Sequence, residues 1–598
     1  ELYWIDYSYS LSNTLYALDL IKDAVIITGW NIKFDKERLE RDIKKLNEIL
    51  DFISLYKDKP IDTIQMALSL KHRFGSPNEI SELMDLLLSL GYIKNDNDKI
   101  TIAKPLPSLR DFVFIDLLEI SKKMYSKELK SWTLRYVGRK LCDIAYHKPR
   151  KHAKDLDKDE LMYMNIMDVI IPEEIENLLG GIRYHIILSW MLQANIPDLI
   201  YHGSTNDIIL LREYNRHGLI LPSRNRSEEK KGYKAAEPDA RPGIYENIIA
   251  LDLSHAYPSI VKSLNASIET KDPNGELVAP NGIRFNKNKN IFVSALSHII
   301  DARQKVKQEM KKYPKNSSEY KRLYLIQFAL KTQAAAYSHG IFGYKHSRLF
   351  DEEVADAITS VARTIIDMLK EYVESIGMPW CYTHTDAIYV IGKKEDVPKI
   401  VKELNDKIEE FCVNNGYLYI PKLELKQFYP KGYIHSPARN VLVREDGEWE
   451  VTGMDFMRSE TPEFIANIEK DIIRLKLDGC NNEELKSYLK AKINEMDSVD
   501  TTLLGVKKPL LKPIDKYKNE VYHIRALRNA MKEFGFNVSV GDSFLILPVK
   551  GINNGSTDWI AFDIDDGLPD KYEIDKKEYL RSCLWGKIAP LFLSLIHI

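Results

Sequence analysis

The sequence predicts an α+β protein of several domains, and three observations lead to this. A chain of 598 residues exceeds what one hydrophobic core uses, so roughly three to five domains are expected. Short apolar runs such as Ala24–Thr28 alternate with helical stretches through residues 1–200, as in an α/β domain. A long helix predicted between Asp351 and Gly377 precedes two short apolar strands, Trp380–Tyr382 and Ile388–Ile391.

Composition restricts the class of protein without naming a function. The chain is 44% hydrophobic and 29% charged, as soluble globular proteins are, and no apolar run approaches the length of a membrane span. The five cysteines include no CxxC pair, which argues against structural zinc and disulfides and predicts a cytoplasmic location. The net charge of -2 does not indicate a nucleic-acid binder. Because the chain opens in mid-pattern without Met, we expect that its natural start is missing.

Two aspartates at the ends of predicted strands are the candidate catalytic residues. Asp252 ends the apolar strand Ile248–Leu253, and Asp386 lies in the turn between two later strands. Carboxylates at neighbouring strand tips can converge on Mg²⁺, which binds few protein oxygens together with substrate phosphates. Two such ions, about 3.5–4 Å apart, would activate an attacking hydroxyl and stabilise a leaving oxygen. The alternative is that each Asp only caps a turn.

A basic helical hairpin is predicted over residues 297–345, interrupted at Tyr313–Asn316. Residues 301–332 contain nine Lys or Arg and three Asp or Glu, a local net charge of +6. Arg303, Lys307 and Lys311 recur every fourth residue and therefore share one helix face. A cationic face opposite an acidic metal site suits a triphosphate. The alternative is a solvated basic helix.

Four segments, taken together, resemble the family B DNA polymerases over nearly the whole chain. Ile244–Ile260 resembles the first palm motif of that family, and Tyr382–Ala387 resembles its third motif. Arg303–Lys307 is similar to the first fingers helix, and Phe536–Gly551 is similar to the end of the thumb. A series of motifs in the right order is more specific than any one of them.

The resemblance implies a DNA-directed DNA polymerase that extends a primer 3′-OH with dNTPs by a two-metal mechanism. Asp252 and Asp386 would be the catalytic metal ligands, and the Leu253 carbonyl would complete a coordination sphere. The cofactor would be two Mg²⁺ ions, with Mn²⁺ as a substitute. Tyr257 would lie under the incoming sugar and exclude a 2′-hydroxyl. The residues that the resemblance assigns to nucleotide binding are His255, Ala256, Tyr257, Arg303, Lys307 and Lys331.

Several positions depart from the family pattern. Ala336 and His339 stand where the second fingers helix usually has Asn and Tyr. Lys331 comes one place early, so that either this helix carries an extra residue or the assignment of Lys331 is wrong. His384 replaces the first acid of the third motif. At the predicted palm–thumb junction, Arg439 is the cation expected near the primer–template phosphates.

These departures keep a second hypothesis open, namely a degraded polymerase paralogue that binds primer–template DNA without catalysis. The retained Asp252, Asp386, Tyr257 and Arg303 favour an active enzyme.

The amino-terminal region resembles a proofreading domain of the same family. Asn31 and Asp35 match its second exonuclease motif, and Asp168 matches the third, with Met164 in place of a tyrosine. The first motif is expected before the start of the chain. Since two of four acids cannot build a two-metal site, we expect this chain to lack 3′–5′ exonuclease activity.

The expected fold is a right-hand polymerase with an antiparallel palm sheet, helical fingers and a mixed thumb, preceded by a truncated RNase H-like 3′–5′ exonuclease domain. Expected partners are primer–template DNA and dNTPs, with a sliding clamp as a candidate accessory. We expect a monomer without membrane attachment. The predicted domains are residues 1–200 (exonuclease-like), 201–296 (linker and first palm part), 297–344 (fingers), 345–436 (second palm part) and 437–598 (thumb).

Overall fold

A computed structural model of the chain describes most of residues 11–593. The segments outside this description are 22–25, 30–32, 56–75 except 64 and 68, 97–98, 109–112, 126–131 except 129, 145, 147–156, 200–201, 224–237, 316, 520, 539, 541–542, 553–555 and 565–566. The chain forms two compact units, one of residues 1–208 with 306–329 and one of residues 209–305 with 330–598. Among the described helices, none combines the length and apolarity that crossing a membrane requires.

The first unit is mostly helical and contains two small sheets. One sheet pairs the strand that includes Thr28 with a later strand in parallel, so that Gly29 lies opposite Asp116. The other is an antiparallel hairpin. Within residues 45–100 the structure describes the end of one helix (to Leu55), the whole of another (Pro77–Ser89) and most of this hairpin. The elements before residue 217 are α1 (Leu11–Ile21), β1 (Ile26–Gly29), α2 (Lys33–Leu55), α3 (Pro77–Ser89), β2 (Ile93–Asp96), β3 (Lys99–Ile102), β4 (Val113–Asp116), α4 (Leu117–Tyr125), α5 (Leu134–Cys142), α6 (Lys158–Leu179), α7 (Gly181–Leu192), α8 (Ile196–Leu199) and α9 (His202–Arg216).

The second unit is built on a seven-stranded antiparallel sheet. Its strands, from one edge to the other, are β13, β12, β11, β6, β10, β9 and β5. The strands and helices from residue 239 to 452 are β5 (Asp239–Ala240), β6 (Gly243–Leu253), α10 (Ala256–Leu264), β7 (Leu277–Val278), β8 (Arg284–Phe285), α11 (Ile291–Met310), α12 (Ser318–Ala335), α13 (Ile341–Gly343), α14 (Glu352–Ser375), β9 (Trp380–His384), β10 (Ala387–Ile391), α15 (Val397–Asn414), β11 (Leu423–Ser436), β12 (Arg439–Val443) and β13 (Trp449–Thr452).

The central strand β6 separates two apolar layers. Ile249 and Leu251 belong to the large core that α14 also enters, whereas Ile248 and Ala250 pack with a cluster of buried tyrosines on the opposite face. Because side chains alternate along a strand, Asp252 lies on the tyrosine-bearing face. The sequence pattern therefore places the acid away from the helix-covered core.

The long helix α14 forms as the sequence predicts. Asp351 caps it by accepting hydrogen bonds from the backbone amides of Glu353 and Val354. Its buried positions include Val354, Ile358, Val361 and Ile365, which recur at helical spacing. Beyond its end, Gly377 takes a left-handed φ of 72°.

The two helices predicted within residues 297–345 are present as α11 and α12, and α11 begins at Ile291, before residue 297. After α12 a π-helical turn covers Ala336–Gly340, and within it Ser338 has a non-helical backbone. A local distortion of the backbone therefore follows Lys331, the residue that stands one place early in the family pattern.

The sheet extends past residue 436, the predicted end of the second palm part. β12 and β13 form a hairpin around Gly447, and β12 pairs with β11. The remaining elements share a second apolar core and are α16 (Glu463–Leu477), α17 (Asn482–Glu495), α18 (Thr501–Leu504), β14 (Val506–Pro509), α19 (Tyr522–Phe534), β15 (Ser543–Ile552), β16 (Ser556–Phe562), α20 (Lys576–Tyr579) and α21 (Trp585–Leu593).

Candidate active site

The two predicted catalytic aspartates lie next to each other on neighbouring strands. β10 pairs with β6 so that Ala387 is opposite Asp252, and the Leu253 amide donates to the Asp386 carbonyl at 2.9 Å. Asp386 occupies the tight turn between β9 and β10, where Thr385 has a left-handed φ of 57°. Strand pairing thus joins two acids that are far apart in the sequence.

The electrostatics of this pair favour a bound cation. Burial raises the pKa of Asp386, and the charge of Asp252 raises it further. Burial also raises the pKa of Asp252, with Glu424 adding to the effect, while Lys426 opposes it. Two partly desolvated carboxylates of like charge repel each other unless a cation lies between them.

The donor set fits a hard divalent cation that shares its ligands with a substrate. Asp252 and Asp386 supply carboxylate oxygens, and no group of three or more His, Cys, Asp or Glu suited to a metal occurs among the described residues. Mg²⁺ commonly takes one or two carboxylates and completes its sphere with water and substrate phosphates. These residues therefore suit an ion held jointly by protein and substrate better than a closed structural site.

The substituted residue His384 ends β9 with its side chain exposed. Its Nδ1 lies 3.2 Å from the Thr385 hydroxyl, and its ring centroid lies 6.1 Å from that of Tyr382. The imidazole thus belongs to the same turn as Asp386 and interacts with its neighbours in that turn.

Three residues assigned to the nucleotide surround the start of α10. His255 has a left-handed backbone with φ of 51°, and Ala256 and Tyr257 begin the helix. The Arg303 guanidinium donates from Nη1 to His255 Nε2 at 2.8 Å. Burial lowers the pKa of Arg303 from its usual value. Arg303 is therefore brought to the segment that directly follows Asp252.

The other predicted phosphate contacts are lysines on the two hairpin helices. Lys307 is exposed on α11, and Lys331 is exposed on α12. The side chains of Ala336 and His339 lie outside the described residues. Both lysines are thus accessible on their own helices, and their convergence on a triphosphate remains a prediction.

Arg439, the predicted primer–template contact, is engaged in a partly buried ion-pair cluster. Its Nη2 lies 2.6 Å from Oδ2 of Asp455, and Nε of Arg458 lies 3.1 Å from Oδ1 of the same carboxylate. Glu469 accepts from the Asp455 amide at 3.2 Å. Sequence reasoning missed this cluster, although one signal was available. Glu469 lies among Ile465, Ile468, Ile472 and Ile473 on the apolar face of α16.

The exonuclease candidates are described only in part. Asn31 falls outside the described residues. Asp35 lies in the first turn of α2, and its side chain is also outside the description. Asp168 is half-buried in the middle of α6, whose first turn is fixed by a capping box at Asp157. Asp168 is thus the one exonuclease candidate with a described side chain.

The antiparallel sheet, the adjacent acids and the nearby Arg303 define a protein of the right-hand polymerase class. The sequence pattern of DNA polymerase family B matches residues 199–595. The chain belongs to this family, whose members are metal-dependent enzymes.

Curated relatives and a solved structure agree with this assignment. The DNA polymerase of Archaeoglobus fulgidus is 25% identical over 551 residues, which cover 89% of this chain and 68% of that protein. DNA polymerase 1 of Sulfolobus acidocaldarius is 29% identical, over 72% of this chain and 52% of its own length. The structure of the family B DNA polymerase from Pyrobaculum calidifontis superposes with a TM-score of 0.62 at 21% identity, covering 98% of this chain and 72% of that one. This last likeness concerns the fold.

Proposed function

We propose that this chain is a DNA-directed DNA polymerase that extends a primer 3′-OH with dNTPs, using two Mg²⁺ ions for which Mn²⁺ can substitute. The observation that carries the proposal is the pairing of β6 with β10, which brings Asp252 and Asp386 together at one end of these two central strands. When bound, the two ions would activate the primer hydroxyl and neutralise the developing phosphate charge.

The residues of the chain divide this work. Asp252, Asp386 and the Leu253 carbonyl would hold the ions. Arg303, oriented by its hydrogen bond to His255, would bind the triphosphate with two or more parallel donors. Tyr257 is half-buried against the core, and this packing would hold its ring in a fixed position under the sugar. A ring held there would reject a 2′-hydroxyl by volume.

The surrounding partners follow from the same chemistry. Lys307 and Lys331 would approach the phosphates of the incoming nucleotide, and Arg439 would approach the primer–template backbone. The fingers would be residues 297–344, and the thumb would follow the palm sheet. We propose a cytoplasmic monomer that a sliding clamp can assist, and we propose that residues 1–200 do not proofread.

The experiment is a primer-extension assay with a gel-shift measurement of primer–template binding on the same samples. We expect extension with Mg²⁺ and none in EDTA. Asp252→Asn should abolish extension and retain binding, because it removes a metal ligand and leaves the cationic surface intact. Asp446→Asn is the matched control, since Asp446 lies in an exposed hairpin turn of the same sheet. Binding without any wild-type extension would instead support the degraded paralogue.

A further inference from the structure

One lysine beside the two aspartates is displaced from the regular strand pattern. β11 pairs with β6 so that Glu424 lies opposite Asp252 and Leu425 opposite Leu251, but Gln427 then lies opposite Ala250. Lys426 is therefore the extra residue of a β-bulge. A bulge bends the strand and redirects the side chain of its extra residue, and bulges recur next to active sites.

The redirected ammonium is held by two partners. Nζ of Lys426 lies 3.3 Å from the Tyr389 hydroxyl and 3.3 Å from Oε1 of Glu450. Glu450 is itself fixed, because its Oε2 accepts from the Tyr429 hydroxyl at 2.5 Å. These contacts anchor the lysine from the side of the sheet that carries Asp252.

The lysine remains charged and acts on both acids. Burial alone would lower the pKa of Lys426, but Tyr389 and Glu450 outweigh it and raise the value above the ordinary one. The same positive charge offsets part of the rise in the pKa of Asp252 and of Asp386. One fixed cation is thus within electrostatic range of both proposed metal ligands.

We propose that Lys426 weakens the binding of divalent cations at Asp252 and Asp386 while no nucleotide is bound, so that the ions are retained only together with the triphosphate. This inference rests on the proposed two-metal function. A fixed ammonium partly neutralises the carboxylates and repels an arriving cation, and because it is anchored by Tyr389 and Glu450 it cannot move away. The negative charge of the triphosphate outweighs that single positive charge when the nucleotide enters.

The test is a titration of the full chain with Mn²⁺ in the absence of DNA. The electron paramagnetic resonance signal of the free ion measures how much Mn²⁺ is bound. We expect Lys426→Met to tighten Mn²⁺ binding by about five- to tenfold, on the order of one removed charge at close range. Lys426→Arg keeps the charge and should stay within about twofold of wild type. With a non-hydrolysable dNTP analogue present, the difference in Mn²⁺ affinity between wild type and Lys426→Met should become smaller.

A matched control lies on the same strand. Lys431 is as exposed as Lys426 but donates to the Leu477 carbonyl, and Lys431→Met should leave Mn²⁺ affinity unchanged. If Lys426→Met does not fold, Lys426→Gln keeps a donor for Tyr389 and Glu450 and should shift the affinity in the same direction.

Two failures are distinguishable. Loss of Mn²⁺ binding in Asp386→Asn together with unchanged binding in Lys426→Met would overturn the role of Lys426 and leave the proposed metal site standing. Unchanged binding in Asp386→Asn would overturn the metal site itself. Tightening by Lys431→Met equal to that by Lys426→Met would show a general charge effect and would also overturn the inference.

Discussion

Two aspartates of the second unit, Asp386 and Asp455, are held in opposite ways. Asp386 lies beside Asp252, and burial together with that like charge raises its pKa. Asp455 lies between Arg439 and Arg458, with distances of 2.6 and 3.1 Å to their guanidinium nitrogens. Asp386 therefore costs the unliganded fold free energy, whereas Asp455 stabilises the fold. Two adjacent, partly buried carboxylates of like charge point to a bound cation, whereas a carboxylate held between two guanidinium groups points to a structural role.

The largest expected difference between the two is in catalysis. Asp386→Asn should lower the rate of primer extension by about three orders of magnitude or more, because a metal ligand is lost. Asp455→Asn should keep the rate at saturating primer–template within about threefold for the folded fraction. Single-turnover extension, with the folded fraction measured by circular dichroism, checks both. Equal losses in the two variants would break the distinction.

A third acid of this unit, Glu469, should make the stability of the fold depend on pH. Burial raises its pKa to about 7, and the nearby Asp455 adds to this; one carboxylate oxygen has no hydrogen-bond partner among the described residues. Because the folded chain binds this proton more tightly than the unfolded chain, its stabilising contribution is full below pH of about 4.5 and is lost as the pH rises toward 7.

Glu469→Gln should remove that loss. Relative to wild type, the free energy of unfolding of the variant should rise by about 2–3 kcal/mol between pH 4.5 and 7. Denaturant unfolding at several pH values measures it, with the exposed Glu463→Gln at the start of the same helix as control. Parallel pH profiles for wild type and Glu469→Gln would contradict the assigned shift.

Replacement of Asp386 and of Asp455 should also change the free energy of unfolding in opposite directions. Asp455→Asn leaves Arg439 without its carboxylate and should lower the free energy of unfolding by about 2 kcal/mol. Asp386→Asn in EDTA relieves the repulsion with Asp252 and should raise it by about 1 kcal/mol. Thermal and denaturant unfolding without divalent ions measure both. A destabilised Asp386→Asn would mean that Asp386 has a structural role.

A smaller effect on the Mg²⁺ requirement is expected at His384, which stands at the β9–β10 turn where the family pattern has an acid. His384→Asp restores a carboxylate two residues from Asp386, and the added negative charge should lower the Mg²⁺ concentration for half-maximal extension by about two- to threefold. The measurement is a Mg²⁺ titration of extension. His384→Asn controls for loss of the imidazole, and an equal shift in that variant would remove the charge explanation.

No effect is expected from the acid of the amino-terminal region. Asp168→Asn should change neither primer extension nor the loss of a mismatched primer end, because Asp35 and Asp168, the two acids matched to the exonuclease pattern, are too few for a two-metal nuclease site. Degradation of labelled primer without dNTPs measures the latter. Robust nuclease activity that disappears in Asp168→Asn would show that another carboxylate has replaced the first motif.

Short-range chemistry made much of the fold predictable from the sequence. Asp351 reads as a cap because its side chain can satisfy amides two and three residues further along the chain, as it does in the structure. The positions of Asp252 near the end of β6 and of Asp386 in the β9–β10 turn are predictable because local apolar runs mark the strands beside them. Family B membership, implied by the ordered motifs, is confirmed over residues 199–595.

The partners of these local elements depend on the tertiary structure. The register that places Ala387 opposite Asp252, and the bulge that redirects Lys426, depend on how three strands pair across long sequence separations. Arg439 reads in the sequence as a free cation, yet in the structure its guanidinium pairs with the carboxylate of Asp455. Strand register and burial are set by packing over the whole unit, and no local run of residues encodes them.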